Sequence, residues 1–170
     1  DGITNPIDTT QALAKGARAR GVRIQENVKV QRIITEGGRA VGVAYEMDGP
    51  GGLTVGEIHA DAVVNAAGMW GRELGDQVGA VVPLHAAEHF YIVTEGVDGI
   101  SPDMPVLRDP DGCGYFKEEA GKLMVGWFEP VAKPWGMSPR TGVSGIPESF
   151  CFDSLPEDFE HIAPLVEAAT

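Results

Sequence analysis

Basic residues are scarce in this chain: 13 lysines and arginines stand against 25 acidic residues, for a formal net charge of −12. No cluster of them could track a phosphate backbone or an anionic bilayer, so neither nucleic acid nor a membrane is an expected partner. Apolar runs of the ~20 residues needed to span a bilayer are missing, as is a basic stretch leading into an apolar one at the start. Only two cysteines occur, Cys113 and Cys151, far apart and without a C-x-x-C spacing. That pattern predicts free thiols and fits a reducing compartment. Complete phosphate-cradling motifs are absent too: Gly112-Cys113-Gly114 lacks the third glycine of G-x-G-x-x-G, and Gly49 to Gly52 follows no buried parallel strand, so both read as turns. No internal repeat or low-complexity tract appears.

What is present is enough apolar material for a core. With 170 residues and 43% hydrophobic content, the chain suits one domain or two small lobes. A helix is predicted from about Thr9 to Arg20, with N-cap oxygens on Asp8, Thr9 and Thr10, a small-residue face able to pack on a sheet, and Gly21 as its C′ residue. Beyond it the period becomes alternating at Val22, Ile24, Val28, Val30 and Ile33. Strands at Lys29–Glu36, Ala40–Glu46 and Leu53–His59, joined at Gly37-Gly38 and Gly49-Pro50-Gly51-Gly52, predict an antiparallel meander. Ala62–Asn65 reads as a short strand buried on both faces, and Trp70–Val78 as a short helix ended by Gly79. Further strands are expected at His85–Glu95, Pro105–Arg108, Gly114–Glu118 and Lys122–Phe128. Glu129–Phe150 reads as a surface loop or mobile lid, and Leu155–Ala169 as a helix that Pro164 should kink or divide.

Three stretches invite chemical readings. His85-Ala86-Ala87-Glu88-His89 matches the zinc-binding order H-x-x-E-H, but that order needs a helix, and Pro83 with the β run Phe90 to Thr94 argues for a strand, so no metal is expected. On a strand, His89, Tyr91 and Val93 share one face, where a His and a Tyr can hydrogen-bond a polar ligand or relay a proton; Tyr91 also reads as an ordinary core-edge ring. In Lys122–Glu129 the mid-strand Gly126 marks a bulge or a place where a ligand meets the backbone, with Trp127 and Phe128 as pocket walls or plain core.

Asn65-Ala66-Ala67-Gly68-Met69-Trp70 forms an ordered set with Asp1-Gly2, Pro6, Val30, Pro83-Leu84, the His89-x-Tyr91-x-Val93-Thr94-Glu95 run and Pro105-Val106-Leu107-Arg108-Asp109. In that order the chain resembles the amine-oxidising flavoproteins of the D-amino-acid oxidase superfamily, and is most similar to dimethylglycine and sarcosine dehydrogenases. The resemblance covers nearly the whole chain. It implies FAD as cofactor, with Val30 bordering the adenine through its backbone and Ala66, Ala67, Gly68 and Trp70 lining the pyrophosphate and flavin side. It places Tyr91, with His89, near the substrate. The implied reaction is hydride transfer from an N-methyl carbon to FAD, giving an iminium that hydrolyses to formaldehyde or is passed to tetrahydrofolate.

The resemblance also implies an α+β fold and an organisation: residues 1–80 as the returning segment of a discontinuous FAD domain, 81–150 as part of an antiparallel β substrate domain, and 151–170 as the start of a helical return. The N-terminal dinucleotide-binding segment, the histidine that bears covalent FAD and a C-terminal folate-binding domain have no counterpart here. With a start at Asp1 and an end at Thr170, the expectation is an internal fragment that does not hold FAD by itself. The parent's implied location is cytoplasmic or the mitochondrial matrix. Alternatives left open are an oxidase of glycine or other amines, a glycerol-phosphate dehydrogenase, and a non-catalytic domain that packs against others.

Overall fold

The computed structural model of the chain describes residues 2–136, 145–147 and 149–169. It is an α+β protein that divides into two compact units: residues 10–86 with 136–148, and residues 1–9 with 87–135 and 149–170. Each carries one antiparallel sheet. No helix among the described residues is long and apolar enough to cross a membrane.

Helix α1 (Pro6–Ala19) starts three residues before the sequence-based expectation. Asn5, not Asp8 or the threonines, is the cap: its Oδ1 accepts from Ile7 N at 2.9 Å and Asp8 N at 3.1 Å, with Pro6 in the first helical position where no N–H is needed. At the other end Gly21 has φ +85° and Val22 N donates to Ala17 O, the predicted glycine stop. The helix has no buried residue, and Leu13 is 72% exposed, so its expected close packing on a sheet does not occur among the described residues.

In the first unit β1 (Val28–Glu36), β2 (Arg39–Gly49) and β3 (Gly52–His59) form the predicted meander in the order β1-β2-β3. The Gly37-Gly38 turn takes φ +56° and +78°, the doubly positive geometry that a two-residue hairpin favours. Residues 22–27 stay outside the sheet, against the alternation that Val22 and Ile24 suggested. Tyr45 faces Gly56 across β2 and β3, and a Cβ on Gly56 would lie 2.7 Å from the Tyr45 hydroxyl, so the ring lies over the glycine.

Ala62–Asn65 corrects the sequence reading: it forms no strand, and Val64 is 86% exposed. A strand exists only through a hydrogen-bonded neighbour, and none of the described strands pairs with this run. After it come a 3₁₀ turn (Gly68–Trp70) and α2 (Gly71–Asp76), with Gly79 at φ +70° beyond.

In the second unit β4 (Tyr91–Gly96), β5 (Leu107–Asp109), β6 (Gly114–Glu119) and β7 (Lys122–Trp127) stand in the order β4-β7-β6-β5. Val125 and Trp127 are buried on β7, with Trp127 only 2% exposed. β4 begins at Tyr91 and not at His85, because residues 87–88 run along another partner: Ala87 bridges Pro134 and Glu88 N donates to Lys133 O. Helix α3 (Phe159–Ala169) contains Pro164 without being divided. It starts at Phe159 because Asp158 caps it, with Oδ1 accepting from His161 N at 3.0 Å. Lys133 ties this cap to Glu88 through ion pairs of 2.7 Å and 3.2 Å. Those hydrogen bonds raise the Lys133 ammonium above its ordinary value, Asp158 first and Glu88 second, while Lys133 and then the His161 N–H hold Asp158 below its own. Of the expected loop 129–150, residues 137–144 and 148 lie outside the described set; Trp135 and Phe150 meet with ring centroids 4.5 Å apart.

Candidate functional site

The two groups of residues singled out in the sequence fall in different units, and each has its own geometry. In the first unit Asn65 shapes the turn: its amide donates to Gly71 O at 2.7 Å and its Oδ1 accepts from Ala67 N at 3.2 Å. Ala66 is exposed and Ala67 half-buried along this turn, and Gly68 has φ +56° with no atom within 4 Å of where a Cβ would stand. The positive φ selects glycine, and the bare backbone faces open space. The turn delivers Trp70 to the wall of a cavity of about 320 Å³, shared with Lys29, Val30, Glu73, Leu74 and Gln77. The structure thus brings Val30 and Trp70 together, while Ala66, Ala67 and Gly68 supply the turn and not the wall.

Trp70 Nε1 is buried and has no hydrogen-bond partner among the described residues. An indole N–H is a donor only, and leaving it unpaired costs about 1–3 kcal/mol. The cavity has room for a small flat ring beside Val30 and Trp70. The exposed glycine turn beside it fits a polar chain that approaches the backbone closely.

In the second unit one row of residues crosses all four strands: Tyr91 opposite Gly126, Gly126 opposite Tyr115, Tyr115 opposite Arg108. Directly opposed residues share a face, so these side chains leave the sheet on the same side, in a row about 14 Å wide at the ~4.8 Å strand spacing. Gly126 is neither of the things its position suggested. The β6–β7 register runs unbroken past it, so there is no bulge, and its empty place is taken by the Tyr115 ring, into which a Cβ would intrude.

Leaning over Gly126, Tyr115 reaches His89, with Oη 3.0 Å from Nε2. His89 also stacks on Phe128 at a centroid distance of 4.6 Å, and Arg108 lies 4.3 Å over the same Phe128 ring. Phe128 is fixed by its N–H, which donates to Cys113 O at 2.7 Å and prolongs the ladder past β7. Burial above all, then the neighbouring Tyr91, raises the Tyr115 hydroxyl above its ordinary value of 10.0, while Arg108 pulls the other way. Tyr115 is therefore protonated at neutral pH. Its hydroxyl donates to His89 Nε2 when that nitrogen is bare and accepts from it when it carries a proton.

His89 and Tyr91 line the same cavity, and the imidazole is held there by Tyr115 and Phe128. Tyr91 is 53% exposed and lines a cavity of about 500 Å³ with His89, Phe150, Asp153, Leu155 and Glu157. Tyr115 escaped the sequence reading, although the hairpin around Ala120-Gly121 contained the signal: counting back from the turn sets Tyr115 opposite the mid-strand glycine. His85 and His89 do not form the zinc-type pair, since residues 85–90 are not helical; no group of three or more potential metal ligands occurs among the described residues.

Residues 1–170 match the family model described as DAO, FAD dependent oxidoreductase, and the chain belongs to that family. It is 39% identical over 165 residues to 4-methylaminobutanoate oxidase (formaldehyde-forming) of Paenarthrobacter nicotinovorans, covering 97% of this chain and 18% of that protein. It is 33% identical over 172 residues to the mitochondrial dimethylglycine dehydrogenase of Rattus norvegicus, covering 99% of this chain and 19% of the relative. With the mitochondrial sarcosine dehydrogenase of Homo sapiens the identity is 32% over 174 residues, 99% of this chain and 17% of the other. The chain thus spans under a fifth of the length of these relatives.

Proposed function

We propose that this chain is the part of a larger flavoprotein that completes its FAD site and presents an amine-oxidising face to N-methylated amino acids of the dimethylglycine or sarcosine type. The observation that carries the reading is the His89–Tyr115 pair, 3.0 Å apart, on a face that also holds Tyr91, Phe128 and Arg108. An amine is oxidised only with its nitrogen lone pair free. His89, kept in orientation by Tyr115 and by stacking on Phe128, takes the proton of the incoming ammonium, and Tyr91 at the cavity wall orients the molecule. Val30 and Trp70, with the turn Ala66-Ala67-Gly68, would hold FAD, which supplies the hydride acceptor when bound. The activities for which these relatives are named, all on methylated amines, support the substrate class, and one of the names gives formaldehyde as a product.

Residues 1–80 are read as the returning half of a split FAD domain, 81–150 as part of the substrate domain and 151–170 as the start of a return to the former. The apolar run at Val63-Val64, outside any strand and with Val64 exposed, supports a neighbouring strand contributed by another segment, the N-terminal dinucleotide-binding one. A further, folate-binding domain and the cytoplasmic or matrix location belong to the same reading.

Anaerobic titration of the intact protein with dimethylglycine and with sarcosine tests it. The flavin should bleach, Tyr91→Phe should slow the bleaching without releasing FAD, and the isolated 170-residue chain should elute free of flavin. Gly68→Val should lower flavin content, since a β-branched residue at φ +56° is strained. A flavin that no N-methyl amino acid reduces would sink the proposal.

A further inference from the structure

We infer that Lys133 is a positioning residue that sets the width of the cavity shared by His89 and Tyr91, and through that width the bulk of the N-substituents the cavity accepts. The inference rests on the amine-oxidising reading above and adds to it what decides between one N-alkyl amine and another. Two stretches of chain line the cavity: residues 89–91, and Phe150 with residues 153–157. Among the described residues no strand ladder joins them, so the gap between them is set from outside the cavity.

What connects them is the run Lys133-Pro134-Trp135. Ala87 bridges Pro134, and Glu88 N donates to Lys133 O at 2.8 Å, which fixes the backbone leading into the first stretch. Trp135 meets Phe150 at the start of the second stretch, with ring centroids 4.5 Å apart. Lys133 Nζ pairs at 2.7 Å with Asp158, the residue after the end of that stretch, and at 3.2 Å with Glu88, the residue before the first. A single ammonium thus ties the two stretches together at their adjoining ends.

Electrostatics make that ammonium the adjustable part. Two carboxylates that share one cation stand close together, and without it they repel. The Glu88 side chain is only 13% exposed, so little water is at hand to screen the repulsion. The strain is relieved on the side of Asp158: the Glu88 backbone is held by its pairing with Lys133, whereas the stretch before Asp158 carries Phe152 wholly exposed. Helix α3 keeps a second tie, His161 Nε2 to Glu129 Oε1 at 2.6 Å, about which its first turn can pivot. Lys133 is 43% exposed and open to added salt, while the His161–Glu129 pair is better shielded.

Turnover kinetics of the intact, flavin-loaded protein test this with dimethylglycine and N,N-diethylglycine, which carry the same charge and differ in bulk at nitrogen. The wild type should favour dimethylglycine in kcat/KM. In Lys133→Met that preference should shrink by about threefold to tenfold, the scale of losing exposed ion pairs, through KM and not kcat. Lys133→Arg, able to hold both carboxylates, should keep the preference, and Glu88→Gln added to Lys133→Met should restore it, because a lone carboxylate has nothing to repel. Salt at about 1 M should lower the preference of the wild type and leave Lys133→Met unaltered, any effect on the charge of the substrates cancelling in the ratio. Hydrogen exchange at the amides of residues 153–155 and 157 should be faster in Lys133→Met and unchanged in Lys133→Arg, a readout that needs no turnover. The inference is overturned if the wild type takes both amines alike, if Lys133→Met keeps the wild-type preference or loses both activities in equal proportion, or if the double variant shows no recovery. Where neither amine bleaches the flavin, the oxidation reading falls; the exchange pattern then decides for Lys133, and unchanged exchange in Lys133→Met removes its role as well.

Discussion

The two sheets of this molecule contain the same device with different consequences. In the three-stranded meander Tyr45 lies over Gly56, its cross-strand partner, and in the four-stranded sheet Tyr115 lies over Gly126 in the same relation. In both, an aromatic ring covers a glycine that would otherwise leave a hole in the face, so the pairing is first of all a way to stabilise a sheet. What differs is the company: Tyr115 meets an imidazole from the segment before β4 and faces an arginine on β5, whereas the structure gives the Tyr45 hydroxyl no such partners among the described residues. A tyrosine over a glycine is thus a structural unit, and its neighbours across the sheet decide whether its hydroxyl has chemistry to do.

The sharpest way to break the comparison is Gly126→Ala. The new Cβ would intrude on the Tyr115 ring, and the ring can escape only by leaving His89. We expect a loss of about 1–3 kcal/mol in denaturant unfolding, together with a fall of about a hundredfold or more in amine-dependent flavin reduction. Near-wild-type turnover in this variant would show that the His89–Tyr115 contact is incidental.

Tyr115→Phe sharpens it with less disturbance, since the ring stays and only the hydroxyl goes. Flavin reduction should slow by about tenfold to a hundredfold. The variant should also differ in its pH dependence. Because the folded-state hydroxyl titrates above its ordinary value of 10.0, the native chain keeps a proton that the unfolded chain has lost. Its stabilising contribution is whole below pH 10 and disappears as pH rises through the folded-state value. Unfolding curves collected on either side of pH 10 should therefore show the wild type weakening with alkali more than Tyr115→Phe does.

The smallest effects belong to the meander. Gly56→Ala meets the Tyr45 hydroxyl and ring edge less closely than a Cβ at Gly126 meets Tyr115, and no imidazole holds the Tyr45 ring in place, so a cost of about 1 kcal/mol or less is expected, and Tyr45→Phe should fall within about 0.5 kcal/mol of wild type. Neither should change the rate of flavin reduction by more than about twofold, the range of an ordinary surface substitution. Stopped-flow traces of the four variants side by side settle whether the two pairs differ as described.

Much of the architecture was legible because it is local. Gly37-Gly38 specifies a hairpin by its own φ values, Gly21 stops α1 by the same means, and alternation between such punctuation marks defines β1 to β3 and β6 to β7. The errors came where a partner decides. The cap of α1 is not legible in the residues alone, because Asn5, Asp8 and Thr9 are all good cap residues and only the path of the chain selects Asn5. Ala62–Asn65 has the composition of a buried strand but no described strand beside it, and His85–Phe90 has the composition of a strand but runs along Lys133 and Pro134.

The candidate site divides along the same line. The glycine at Gly68, the His89-x-Tyr91 run and the mid-strand Gly126 could be read from residue order, because each depends on residue type and spacing within one segment. The pairing of His89 with Tyr115, and the place of Arg108 on their face, came from the folding of separate segments onto one another. Those neighbours lie on β5, β6 and the segment before β4, and no periodicity within one segment reports the register between them.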